Sequence, residues 1–370
     1  MRSSAKPDSA VDIIEGEESG RQEGKEEKKP ASEPNNCIFI YIERCQEIIK
    51  RKSSTPGKPR RRCCRGSRPR KISDKLLRIM GKLTRRWMIK TAVSGVAGAS
   101  LAASAEAQAG AGMPTTQRKG RIKQSASRWC YQRIPLDELC EKGAAMGLRA
   151  IDLLNEDEWE VPRRYGLICS MGYGGGGEIK SAMNRVENHA KIEEAFRKSI
   201  PKAAKLGVPN VITFSGNREG MSDEDGAKNC ILGLNRVKKI AEDNGVVICM
   251  ELLNSKVDHH DYMCDHTAWG VQVVKAVNSP NVKLLYDIYH MQIMEGDLIR
   301  TIRENIQWLG HFHTGGVPGR HELDGTQEVE WAGVMRGIAG TAYNGYVAHE
   351  FIPTRDPLQS LEGAVTLCDV

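Results

Sequence analysis

From residue 122 onward the chain alternates between short apolar runs and longer stretches with helical spacing, and few folds accept that pattern. The apolar runs are "IKQSASRWC" (122–130), "RAIDLL" (149–154), "LICSMGY" (167–173), "VPNVITFSG" (208–216), "VVICMELLN" (246–254), "VKLLYDIYHM" (282–291), "WLGHFHTGG" (308–316) and "GYVAHEF" (345–351). Helical periodicity marks 134–147, 190–206, 223–245, 267–279, 297–306 and 331–341, with a last helix starting at Pro357. Strands that are apolar almost throughout belong to parallel sheets covered by helices on their outer face. Eight such units in about 250 residues predict an α/β fold closed as a (β/α)8 TIM barrel. A doubly wound open sheet is the second choice. No GxGxxG follows the first run, which weakens its dinucleotide-binding form. "GGGG" (174–177) is expected to be a flexible loop or a lid hinge, because no Lys-Ser/Thr follows it as in a phosphate-binding loop.

The net charge of +7 hints at nucleic acid, but its distribution does not. Residues 1–109 carry 24 Lys/Arg against 13 Asp/Glu, so residues 110–370 carry 30 against 34. The barrel region is mildly acidic, and a phosphate-binding face is not expected on it. Residues 1–79 are rich in Lys, Arg, Glu, Ser and Pro and lack the apolar content to offset chain entropy, so they are expected to be disordered. Residues 80–109 resemble a twin-arginine export signal. Arg85 and Arg86 precede a modestly apolar Ala/Gly/Ser stretch ending in "AEAQA". That stretch is too short and too weakly apolar to form a stable membrane span. Met80 is read as the true start, and residues 1–79 as a gene-start artefact. The expectation is a single catalytic domain over 120–370, engaged by the twin-arginine export machinery before maturation and exported to the periplasm, or cytoplasmic if the signal is not used. The 11 cysteines include no CxxC pair and are scattered among apolar runs, which predicts free buried thiols rather than disulfides or a zinc site.

In a barrel of this kind the reacting groups sit at the C-terminal ends of the strands. Four consecutive runs deliver metal-competent side chains there: Glu251, Asp287, His313 and Glu350. Three converging carboxylates repel one another unless a cation lies among them. Two Glu, one Asp and one His form a hard, oxygen-rich set suited to Mg2+ or Mn2+. His290 stands where a ligand hydroxyl could be met, and Arg320 where a guanidinium could fork onto a carboxylate. His311 shares a face with His313 one layer deeper. Trp129, Tyr131 and Glu178 are candidate pocket walls. His259, His260 and Glu322 read as solvent-exposed.

The segments "ICMELLNSK" (248–256), "LLYDIYHMQIMEGDL" (284–298), "LGHFHTGGVPGRHELDGTQEVEW" (309–331) and "YNGYVAHEFIP" (343–353) resemble hydroxypyruvate isomerases, members of the xylose-isomerase-like TIM barrels. The D-I-x-H-x-Q-x-M-E-G string is the most specific part, and the resemblance extends over about 120–370. It implies a divalent ion, Mg2+ or Mn2+, held by Glu251, Asp287, His313 and Glu350. It also implies Glu251 and Glu350 as the catalytic acid/base pair, with His290 and Arg320 binding substrate. At the position of His313 hydroxypyruvate isomerases often have glutamine, whereas the related ketose 3-epimerases have histidine.

The implied reaction interconverts hydroxypyruvate and tartronate semialdehyde by metal-assisted proton transfer through an enediolate, with a hydride shift as the mechanistic alternative. The rival activity is a ketose or sugar 3-epimerase or related sugar isomerase. A metal-dependent apurinic endonuclease of the same fold would call for more ligands and a basic groove. The non-enzyme rival is an exported sugar-acid binding protein. The expected partner is a small hydroxy-keto acid or sugar, without nucleic acid, and the protein is expected to form a homo-oligomer.

Overall fold

The computed structural model describes residues 118–370. The basic segment 1–79 and the stretch 80–109 that resembles an export signal lie outside the described residues. Eight parallel strands form a closed barrel in sequence order: β1 (Lys123–Ser127), β2 (Ala150–Leu154), β3 (Ile168–Gly176), β4 (Asn210–Thr213), β5 (Val247–Leu252), β6 (Val282–Asp287), β7 (Leu309–Thr314) and β8 (Tyr346–His349). The ring is closed by β8 on β1, with Ser125 paired to Ala348. Outside it lie α1 (Leu136–Met146), α2 (His189–Leu206), α3 (Asp223–Asn244), α4 (Thr267–Val277), α5 (Ile288–Met294), α6 (Leu298–Asn305), α7 (Trp331–Ala339) and α8 (Pro357–Leu367). The TIM-barrel expectation holds, and among the described residues there is one catalytic-type domain.

Local chemistry explains the boundaries. Ser222 caps α3 by accepting from the Asp225 amide at 3.1 Å, and Asp223, Glu224 and Asp225 place negative charge at the helix's positive end. Gly245 ends α3 in the left-handed region. The helix α2 runs unbroken through Pro201. The proline ring is exposed, while Ile192, Phe196, Ser199, Ile200 and Ala203 bury one face. That packing outweighs the roughly 3 kcal/mol an internal proline costs.

Two expectations are corrected. The "GGGG" run is no loop; β3 continues to Gly176, because neighbouring elements come too close for side chains. A Cβ on Gly176 would lie 2.1 Å from the Ile212 carbonyl oxygen, and one on Gly175 would lie 2.5 Å from Ala195 Cβ, at a φ of 81°. The sixth apolar run also splits. β6 stops at Asp287, whose carboxylate accepts from the Tyr289 and His290 amides and starts α5 at once. The seven cysteines among the described residues are free, and six of them are buried. No helix among the described residues is long and apolar enough to cross a membrane.

Candidate active site

The four strand-end residues converge at the C-terminal mouth of the barrel. Asp287 and His313 are register partners on β6 and β7, Glu251 is the fifth residue of β5, and Glu350 follows β8 directly. One ligand atom from each lies within 4.8 Å of the others, and all four side chains are buried. His313 Nδ1 is 2.7 Å from Glu350 Oε2 and 3.3 Å from Glu251 Oε1, yet neither contact has hydrogen-bond alignment. A nitrogen so placed is arranged for a shared partner in the middle rather than for either carboxylate. Three buried carboxylates and one imidazole nitrogen therefore fit a hard divalent cation.

Arg320 closes the site from above. It lies in the loop after β7 with a left-handed φ of 58°, and its carbonyl accepts from the Ile352 amide at 2.6 Å. That turn brings the guanidinium back over the strand ends. Nη2 reaches Glu350 Oε2 at 2.6 Å and Asp287 Oδ2 at 3.1 Å, and Nε donates to the Glu350 carbonyl at 3.3 Å. The rings of Trp129 and Tyr289 flank it at 5.3 and 5.2 Å. Trp129 also donates its indole N–H to Glu350 Oε1 at 2.5 Å, so both oxygens of Glu350 are engaged.

Charge is distributed unevenly among the carboxylates. Burial alone would raise Glu350, but His313 and Arg320 outweigh it and bring the carboxyl down to about 2. Glu251 has less compensation, and burial leaves it above the usual carboxylate range. Burial pushes Asp287 up to about 8 against the pull of Arg320. His313 is driven the other way: burial opposes its charge, but the Glu350 carboxylate and hydrogen bonding to Asp152 raise it well above an ordinary histidine.

Asp152 on β2 is a candidate site residue that the sequence alone did not single out. It crosses the barrel interior to β7, accepting from His313 Nε2 at 2.9 Å, with His311 Nε2 3.0 Å from its other oxygen. Ser170 donates to it at 2.6 Å. Burial opposes its charge, but His311 and His313 hold the carboxyl well below the usual range. The carboxylate thus fixes the proton of His313 on Nε2 and turns Nδ1 toward the candidate ligands, the second partner expected of a metal-ligating histidine. A lone Asp inside "RAIDLL" was the available signal.

Other candidates divide. His290 is fully buried, with its Nε2 3.5 Å from Asp287 Oδ2. His311 is barrel interior, as expected. Tyr131 is buried edge-on against Phe351, and Glu178 is exposed. Glu322, expected at the surface, is instead buried. It accepts from the Thr354 and Arg355 amides and the Thr354 and Ser360 hydroxyls, pinning the loop after β8 to the loop after β7. His259, also expected to be exposed, is half-buried with its ring against His290 at 5.3 Å; His260 is exposed.

Residues 163–366 match the model of the xylose isomerase-like TIM barrel family. The chain belongs to that family. Among its xylose isomerase-like relatives, a Mus musculus protein provisionally named a hydroxypyruvate isomerase is 25% identical over 177 residues, 46% of this chain and 64% of that one. A D-psicose 3-epimerase from Ruminiclostridium cellulolyticum is 35% identical over 114 residues, 31% of this chain and 37% of the epimerase. The chain therefore spans just under two thirds of the first relative's length and little more than a third of the second's. A crystal structure of an AP endonuclease, family 2, from Brucella melitensis superposes with a TM-score of 0.60 at 21% identity, covering 65% of this chain and 97% of that one. At that identity the likeness speaks for the xylose isomerase-like fold alone.

Proposed function

We propose that the protein is a divalent-metal-dependent isomerase of small hydroxy-keto acids, interconverting hydroxypyruvate and tartronate semialdehyde. The observation that carries this reading is the pair Glu251 and Glu350, brought to one site and held in opposite protonation environments. Two carboxyls whose surroundings push them apart can divide acid and base work. Glu251, Asp287, His313 and Glu350 would hold Mg2+ or Mn2+, and the ion would supply charge stabilisation for adjacent substrate oxygens.

The chain's own groups do the rest. Glu350, ionised, accepts the proton leaving C3 of hydroxypyruvate. Glu251, whose burial raises its hold on a proton, delivers one to C2, and the hydroxyl proton passes from the C3 oxygen to the C2 oxygen. The reverse reaction exchanges the two roles. His290 donates to a substrate oxygen. Arg320 has spent Nε and Nη2 within the protein, and Nη1 remains for the substrate carboxylate. Export through the twin-arginine pathway and homo-oligomer formation belong to the same proposal.

A second reading, a ketose 3-epimerase, is favoured by His313 at the metal site and by the psicose 3-epimerase relative. The discriminating experiment is a panel of hydroxy-keto acids and neutral ketoses assayed with added Mg2+ or Mn2+, on the wild type and on Arg320→Lys. The acid isomerase should turn over hydroxypyruvate, with KM rising at least tenfold in the variant. Turnover of ketoses alone, with KM unmoved by the variant, would establish the epimerase instead.

A further inference from the structure

His290 reaches the site with one nitrogen and is held by the other, and the holding contact determines its chemistry. Asn254, fully buried just past β5, makes that contact. Its Oδ1 accepts from the Val257 amide at 3.0 Å and the Asp258 amide at 2.9 Å. Backbone amides only donate, so the orientation of the Asn254 side chain is settled and its Nδ2 must face the other way. One Nδ2 proton goes to Asp258 Oδ2 at 2.7 Å. The other points to His290 Nδ1 at 2.6 Å. Asp258 is itself held by the Tyr289 hydroxyl at 2.8 Å, so the amide cannot swing away cheaply.

A nitrogen that receives an N–H cannot carry a proton of its own. His290 Nδ1 is therefore the acceptor, and in the neutral ring the proton sits on Nε2. His290 Nε2 is buried and has no hydrogen-bond partner among the described residues. Its nearest carboxylate oxygen, on Asp287, lies at 3.5 Å, too far for a good bond. The rings of His259 and Tyr289, 5.3 and 5.0 Å away, wedge the imidazole in place. A buried donor left without a partner beside a reactive cluster is aimed at a ligand.

We propose that Asn254 is a positioning residue that locks His290 in the Nε2–H tautomer, so that His290 serves the site as a fixed hydrogen-bond donor and never as a base. The substrate atom it meets is then an acceptor, a carbonyl or developing alkoxide oxygen, and that contact strengthens as the oxygen gains charge. The kinetic part rests on the catalytic reading above; the tautomer itself does not.

The test uses the full chain labelled with 15N-histidine, with His290→Gln to assign the resonance. In wild type, the His290 ring should show an unprotonated Nδ1 and a protonated Nε2. Asn254→Asp keeps the acceptor for the two backbone amides but can only accept from His290, so a proton should appear on Nδ1. A wild-type ring protonated on Nδ1, or a ring unchanged in Asn254→Asp, overturns the lock whether or not any substrate is turned over. Kinetically, Asn254→Ala should lower kcat at least tenfold with KM changed less than threefold. In the His290→Gln background, where the glutamine amide supplies the N–H without Asn254, the same change should cost less than threefold. Equal losses in both backgrounds would mean that Asn254 only holds its loop.

Discussion

Glu251 and Glu350 are the same residue type at equivalent strand ends, yet their surroundings differ sharply. Glu350 accepts from Trp129 and Arg320, whereas Glu251 lies 3.3 Å from His313 Nδ1 without an aligned bond. Both Glu251→Gln and Glu350→Gln keep shape and volume and should leave a folded barrel with turnover reduced at least a thousandfold. Circular dichroism and the substrate panel check this, and near-normal activity in both variants would refute the assignment. Asp152 makes a subtler prediction. Replacing it by Asn removes the charge that orients His313, so Mn2+ affinity measured by calorimetry should fall about 10- to 100-fold with the fold retained. Unchanged affinity would reduce Asp152 to a core residue. The strand-end residues were legible because they interrupt apolar runs at a predictable place. Asp152 was not, because its partners His311 and His313 are more than 150 positions away and meet it only across the barrel interior.

Among the elements, β3 shows what local reading cannot see. Four consecutive glycines carry no apolar signal and resemble a hinge, but α2 and β4 press on that strand from two sides. The glycine run is the means by which they do so. Gly176→Val should therefore destabilise the barrel by about 3 kcal/mol or more in urea unfolding, since overpacking against backbone cannot relax by a side-chain rotation. A hinge or flexible loop would tolerate the change within about 0.5 kcal/mol. The turns around the site behave similarly. Glu322 reads as a surface charge in the polar loop "RHELDG", yet Thr354, Arg355 and Ser360 supply it with four hydrogen bonds from elsewhere. Its effect is to hold together the two loops that carry Arg320 and Glu350.

For the whole molecule, the acid cluster links stability to pH and to metal. A carboxyl raised in the folded state keeps a proton that the unfolded chain has already lost. Its contribution is present below the unfolded value near 4 and disappears as pH rises through the folded one, about 8 for Asp287. A raised His313 acts in the same direction, losing its contribution as pH climbs past the ordinary histidine value. Burial holds His259, His290 and His349 below the ordinary histidine value and they oppose this trend at lower pH, so the metal-free protein should lose stability as pH rises from about 6.5 to 8. A cation competes with protons for these ligands and should restore it as pH rises. The gain in Tm on adding Mg2+ or Mn2+ after chelation should be several degrees at pH 8 and markedly smaller at pH 5. An equal gain at both pH values would place the ion elsewhere.

Strand number, parallel direction, barrel closure and the candidate ligand set Glu251, Asp287, His313 and Glu350 could all be read along the chain. They follow from hydrophobic periodicity and from where that periodicity breaks, and both are local properties. The tautomer of His290, the clamp on Arg320, the Asp152–His313 pairing and the strand made of glycine could not. Each depends on which distant atoms arrive within about 3 Å, and that is set by closure of the ring and the register of its strands rather than by neighbours in sequence.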